Sequence, residues 1–184
     1  MANKDPERRA ATRRRIVDAF WNLYEDTPIE RIGVAQVASA AGVHRSTFYE
    51  YFRDVYDVRD SIEGEVLAYM GEKARSIVAA GGSGNLEECV REMLEEKGRF
   101  LAVLYVSGAS PSFARRAKAQ LTSVIASSEG YAGISRYEAE FVASGLIGAY
   151  VLWFERGQDV PVEQVVSELG RMALRCLAEP PSPD

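Results

Sequence analysis

Between residues 44 and 53 the chain sets His44, Arg45, Ser46, Thr47, Tyr49, Tyr51 and Arg53 close together. Their shared chemistry is hydrogen-bond donation and positive charge. A guanidinium such as that of Arg45 can bridge the N7 and O6 atoms of a guanine, while the hydroxyls of Ser46 and Thr47 reach a phosphate or a base edge, and Tyr49 suits a phosphate. That is chemistry of recognition, not of turnover. His44 reads as a partly exposed residue at a helix start, with donation to phosphate as the alternative. Glu50 stands among these donors with the opposite sign and repels phosphate unless it accepts from a cytosine amine.

Catalytic alternatives find little support. With one histidine in the chain, neither a triad nor a metal cluster can be assembled around His44. Cys89 and Cys176 lack CxxC spacing and read as small apolar core residues. The run Gly81-Gly82-Ser83-Gly84 lacks the Lys and Ser/Thr of a phosphate-binding loop. No enzyme activity, metal or cofactor is expected.

The donors need a scaffold, and apolar spacing supplies one. Ile16, Val17, Ala19, Phe20 and Leu23 predict a helix over about 7–25, closed by Asp26-Thr27-Pro28. Val34 to Ala41 predicts a second, short helix, and Gly42-Val43 interrupts it. His44 to Phe52 predicts a third. Ala38, four residues before Gly42, leaves room for two helices to cross closely, and Gly42 suits a turn that needs positive φ. Val37, Ala41, Val43, Phe48 and Phe52 then fill the corner. This is the pattern of a helix-turn-helix, with an ordinary αα-hairpin as the plainer alternative.

The segment Val37-Ala-Ser-Ala-Ala-Gly-Val-His-Arg-Ser-Thr-Phe-Tyr-Glu-Tyr-Phe52 resembles the DNA-binding signature of the tetracycline-repressor (TetR) family. The resemblance covers residues of about 8–65. It implies a dimer formed through the last two helices, an effector pocket in the C-terminal body, and DNA contacts at Arg45, Ser46, Thr47, Tyr49 and Tyr51. Gly33 and Val55 depart from the pattern, since a hydroxyl residue and a lysine often contact phosphate there. Arg53, the hydroxyl of Tyr56 and the N-terminal arginines are the expected compensation.

Farther along, Asp54 with Asp57 predicts a capped fourth helix running to about Ala80, and Asn85 with Glu88 caps a fifth, from Leu86 to about Tyr105. Ser110-Pro111 opens a helix to about Ala126, Ser135 with Glu138 starts another to Glu155 closed by Gly157, and Pro161 opens the last, which ends before Pro180, Pro181 and Pro183. No period-2 strand pattern persists, so the expected fold is all-α, with about eight or nine helices. Residues 1–58 are expected to form the helix-turn-helix domain, and 59–184 a helical effector-binding and dimerisation domain.

Charge and composition agree with that division. Residues 1–62 balance ten Lys+Arg against ten Asp+Glu, so the net charge of −5 lies in the remainder. Lys4, Arg8, Arg9, Arg13, Arg14 and Arg15 form a basic N-terminal cluster able to neutralise phosphate. With neither a 20-residue apolar run nor an apolar signal segment, the expected setting is the cytoplasm, away from membranes. Tyr69, Met93, Phe100, Tyr105, Phe113, Tyr150 and Trp153 are candidates to line an effector pocket, with core filling as the alternative, and the expected effector is apolar or aromatic. Gly145, Gly148, Leu152, Val165, Leu169, Met172 and Cys176 are candidates for a dimer interface, whose two-fold axis would match a palindromic operator. The expected function is a ligand-responsive repressor that binds double-stranded DNA as a homodimer. A co-activator that binds a partner protein is the alternative.

Overall fold

The computed structural model describes residues 6–80, 86–106, 110–128 and 133–177. Among them the chain is all-α: α1 (Pro6–Tyr24), a 3-10 turn (Ile29–Arg31), α2 (Val34–Ala40), α3 (Arg45–Tyr49), α4 (Val55–Ala79), α5 (Leu86–Val106), α6 (Pro111–Ala126), α7 (Arg136–Glu155) and α8 (Val162–Leu177). Lys4, the Gly81–Gly84 run, the Asn85 cap and the terminal prolines Pro180, Pro181 and Pro183 lie outside the described residues. The chain divides into two compact units, Met1–Glu65 and Val66–Asp184, with α4 contributing residues to both.

In the N-terminal unit Pro6 opens α1, a position that suits its fixed φ and missing N–H. Ile16, Phe20, Trp21 and Tyr24 turn inward from α1, with the Phe20 and Trp21 rings 5.2 and 5.6 Å from that of Tyr24. Val17 and Leu23 are only half-buried. Val37 and Ala38 of α2, Phe48 of α3, and Val55, Val58 and Ile62 of α4 complete the core. Burying a side chain the size of Phe or Ile contributes about 1.5–3 kcal/mol, so these few residues define the unit. Glu63 is also buried, and Arg59 Nε lies 3.4 Å from its carboxylate.

The C-terminal unit gathers α5 to α8 and the rest of α4. Ile125, Ala139, Val142 and Ala143 form a tight cluster between α6 and α7, flanked by Leu121, Leu146 and Ala173. Ser135 and Glu138 make the expected capping box: Ser135 N–H donates to Glu138 Oε2 at 2.8 Å, and Glu138 N–H to Ser135 Oγ at 3.2 Å. At the other end of α7, Gln158 N–H reaches Trp153 O at 2.8 Å and Gly157 N–H reaches Phe154 O at 2.9 Å, a Schellman closure with Gly157 at φ +69°.

Two expectations are corrected here, for Ser110 and Cys176. Ser110 does not cap α6 through its side chain; it is buried, with Oγ 3.1 Å from Ser112 Oγ. Pro161 opens α8 as expected, standing as its cap, with its carbonyl accepting the N–H groups of Gln164 and Val165 at 3.1 and 3.3 Å. Cys89 is buried as expected, but Cys176 is exposed on α8.

Candidate nucleic-acid interface and effector cavity

The α2–α3 corner is built on backbone hydrogen bonds. Val43 N–H donates to Ala38 O at 3.0 Å and Gly42 N–H to Ser39 O at 3.1 Å, closing α2 with a Schellman motif around Gly42 at φ +63°. A side chain at that φ is disfavoured by roughly 1–2 kcal/mol, which is why glycine stands there. Ala38, 2% exposed, admits the close crossing. Phe48 is wholly buried between Tyr49 and Phe52, with ring centroids at 5.7 and 6.0 Å.

With Phe48 turned inward, the rest of α3 is presented outward. His44, Arg45, Ser46, Tyr49 and Arg53 are exposed, and Thr47 and Tyr51 are half-buried. Helix α3 is shorter than the expected 44–52, because Glu50 and Tyr51 N–H donate to Thr47 and Phe48 O, three residues back, and tighten the last turn. Asp54 Oδ1 accepts Asp57 N–H at 2.8 Å and caps α4. Asp57 reaches back not to Asp54 but to Arg53, accepting its N–H at 2.9 Å and its guanidinium at 3.2 Å. These bonds, the backbone one foremost, hold the Asp57 carboxyl below its usual range.

The basic cluster of α1 splits in two. Arg13 is engaged within the unit: its guanidinium donates to Ser61 Oγ and to Glu65 Oε1, the latter at 2.7 Å, and lies over the Phe52 ring. It is therefore withdrawn from the expected phosphate-neutralising set. Arg9 lies over the Tyr51 ring at 5.4 Å, fixing that tyrosine against α1. Arg8, Arg14 and Arg15 remain exposed beside it. Among the departures, Val55 is buried at 5% exposure, so its position serves the core, and Gly33 starts α2 with no side-chain cap. Tyr56 is exposed, with Arg59 over its ring.

In the C-terminal unit a cavity of about 170 Å³ opens between α4, α5, α6, α7 and α8. Of the expected pocket residues, Met93, Tyr105 and Tyr150 line it. The other four serve elsewhere. Phe113 is wholly buried, edge-on to Tyr105 at 5.2 Å; Trp153 donates Nε1–H to Val160 O at 2.9 Å and pins the α7–α8 connection; Phe100 lies beneath Arg99; and Tyr69 lies beneath Lys73 and Lys97. Periodicity could not separate these cases, since lining and core positions share one helical face.

Sequence reasoning missed Gln120, which falls at core spacing between Ala117 and Val124 and lines the cavity. Its Nε2 donates to Leu67 O at 2.9 Å across Gly71, where a Cβ would come within 1.7 Å of that nitrogen. The Tyr105 hydroxyl is shut off from solvent with no hydrogen-bond partner, and burial raises its pKa well above the usual phenol value. Burial also pushes Tyr150 up to about 12. Leaving a buried hydroxyl unsatisfied costs about 1–3 kcal/mol.

No family model matches the chain, and no curated protein matches it. Solved structures do. The fatty acid degradation regulator FadR from Bacillus halodurans aligns at 18% identity over 94% of this chain and 97% of that one, with a TM-score of 0.66. A TetR transcriptional regulator from Streptococcus agalactiae aligns at 20% identity over 91% and 96%, TM-score 0.66. NalD of Pseudomonas aeruginosa, the secondary repressor of a multidrug efflux pump, aligns at 18% over 92% and 97%, TM-score 0.65. The chain has the TetR fold.

Among the described residues of this TetR fold, α7 and α8 carry exposed apolar side chains. Tyr137, Phe141 and Leu152 of α7 are 75%, 70% and 53% exposed, and they share a stripe with the exposed Gly145 and Gly148, where an added Cβ would meet nothing. Met172, 60% exposed, and Cys176 stand one turn apart on α8. Val165 and Leu169 are corrected: Val165 is buried within the chain and Leu169 lines the cavity, because they sit on the inward flank of α8. Tyr137 and Phe141 take their place as exposed apolar residues. Among the described residues no helix is long and apolar enough to cross a membrane, and no group of three or more metal-ligating side chains occurs.

Proposed function

We propose that the protein is a DNA-binding transcriptional regulator, a ligand-responsive repressor that works in the cytoplasm as a homodimer on a palindromic operator. The observation carrying this reading is the outward set of α3: Arg45, Ser46 and Tyr49 exposed on a helix whose inward residue, Phe48, is wholly buried. Such a helix enters a major groove with its donors toward base edges. Likeness in fold to solved regulators supports the same reading. The stripe Tyr137–Phe141–Leu152 with Met172 is the surface a second copy would cover, and a two-fold axis would set paired recognition helices about 34–36 Å apart, one turn of DNA. Arg9, Arg14 and Arg15 of α1 supply charge toward the backbone.

Selection from a random double-stranded DNA library tests this. Wild-type protein is expected to enrich a palindrome and to bind it more weakly as salt rises, and Arg45→Ala is expected to relax preference at one base pair per half-site by about 1–3 kcal/mol. Failure to enrich any sequence would sink the proposal. The exposed Glu50, the buried Val55 and the capless Gly33 favour a second reading, a co-activator that binds a partner protein. In that case the selection yields nothing while a protein partner is retained.

A further inference from the structure

We propose that the cavity of the C-terminal unit binds an uncharged, apolar molecule the size of a single substituted ring, whose one oxygen meets the tyrosine hydroxyls of the cavity wall. The inference rests on reading this unit as the effector-binding one.

Size comes first. A cavity of roughly 150 Å³ lined by aliphatic and aromatic side chains holds a benzene ring. The present one, at about 170 Å³, has room for a ring with a small substituent.

Polarity comes next. The wall is made almost wholly of Leu, Ile, Val, Met and Ala side chains, and its polar members are few. Among the described residues Lys73 is the one strongly basic residue on it, and its ammonium is taken: it donates to Glu92 and lies over the ring of Tyr69, which is not part of the wall. Gln120 has its amide committed to Leu67 O. A carboxylate or ammonium entering the cavity would therefore lose its water without gaining a counter-charge, and a buried unpaired charge is strongly disfavoured. Tyr105 and Tyr150 remain. The hydroxyl of Tyr105 has no partner, and burial alone raises the pKa of both phenols, with no neighbouring charge involved. Neutral at physiological pH, each can donate one hydrogen bond to a carbonyl or ether oxygen.

Three probes of one ring size separate the possibilities when titrated calorimetrically into the full chain without DNA: acetophenone, ethylbenzene and benzoate. Acetophenone is expected to bind about tenfold more tightly than ethylbenzene, the worth of one hydrogen bond, and benzoate at least tenfold more weakly than acetophenone. A Tyr105→Phe/Tyr150→Phe double variant keeps both rings and is expected to bring acetophenone down to the ethylbenzene level. Should the double variant fail to fold, each single variant is expected to lose part of the preference. Tightest binding by benzoate, no binding by any probe, or a preference for acetophenone that survives both substitutions would overturn the proposal. Operator affinity is measured separately. Acetophenone binding that leaves it unchanged supports the ligand assignment and counts against the ligand-responsive reading alone.

Discussion

The two units use their side chains in opposite ways. In the N-terminal unit the large apolar residues are consumed inside, with Phe20, Trp21 and Phe48 wholly buried, and what faces outward from α3 is polar. The C-terminal unit leaves apolar surface unfilled in two places, a cavity inside and a stripe on α7 outside. A unit that is finished inside presents a fixed shape. One that leaves apolar surface unmatched gains stability when something covers it, which is the thermodynamic basis for a response to a ligand or a partner.

The sharpest way to break this contrast is to open the filled core. Phe48→Ala is expected to cost about 3–5 kcal/mol, enough to unfold the N-terminal unit while α5–α8 stay folded, as two separated transitions in urea would reveal. A single coincident loss of all helicity would show that the units do not behave as distinct bodies. Next in size is Gly71→Ala. A methyl there meets Gln120 Nε2 and must displace it from Leu67 O, so about 1–3 kcal/mol is expected, read as a lower urea midpoint, although alanine is ordinarily the better helix residue. A more stable variant would mean that Gln120 swings aside at no cost.

The smallest effect concerns the start of α7. Ser135→Ala removes the cap and is expected to cost about 1 kcal/mol at neutral pH. Bonds from Ser135 hold the Glu138 carboxyl below its ordinary range, so the folded state binds that proton less readily than the unfolded chain. The contribution of this carboxylate is thus fully present above the ordinary glutamate pKa of about 4.3 and fades as pH falls through the lower folded value. Comparing wild type with Ser135→Ala, the stability gap should narrow toward pH 3. A gap independent of pH would show that the hydroxyl alone makes the cap.

How legible each unit was in the sequence follows from the same contrast. The helix-turn-helix could be read because its constraints are local: a small residue at Ala38, a glycine at Gly42 held at φ +63°, and an aromatic at Phe48 each stand for one steric fact. The Ser135–Glu138 box was readable for the same reason. Tertiary choices were not. Which of Tyr105, Phe113 and Trp153 would border empty space depends on how neighbouring helices meet, and a helical period marks a face without saying what lies against it. Likewise the engagement of Arg13 by Ser61 and Glu65 joins residues far apart in the chain, so a run of arginines read as uniform charge divides in the fold into an internal tie and an exposed remainder.

The placement of the two tryptophans has a practical consequence. The chain holds only Trp21 and Trp153, one in each unit, and both are buried. Trp153 reports the closure of α7 through its bond to Val160 O, and Trp21 reports the packing of α1. Replacing either with phenylalanine leaves a single tryptophan, which red-edge excitation selects over the nine tyrosines, so events in one unit can be followed optically without attaching a label to the other.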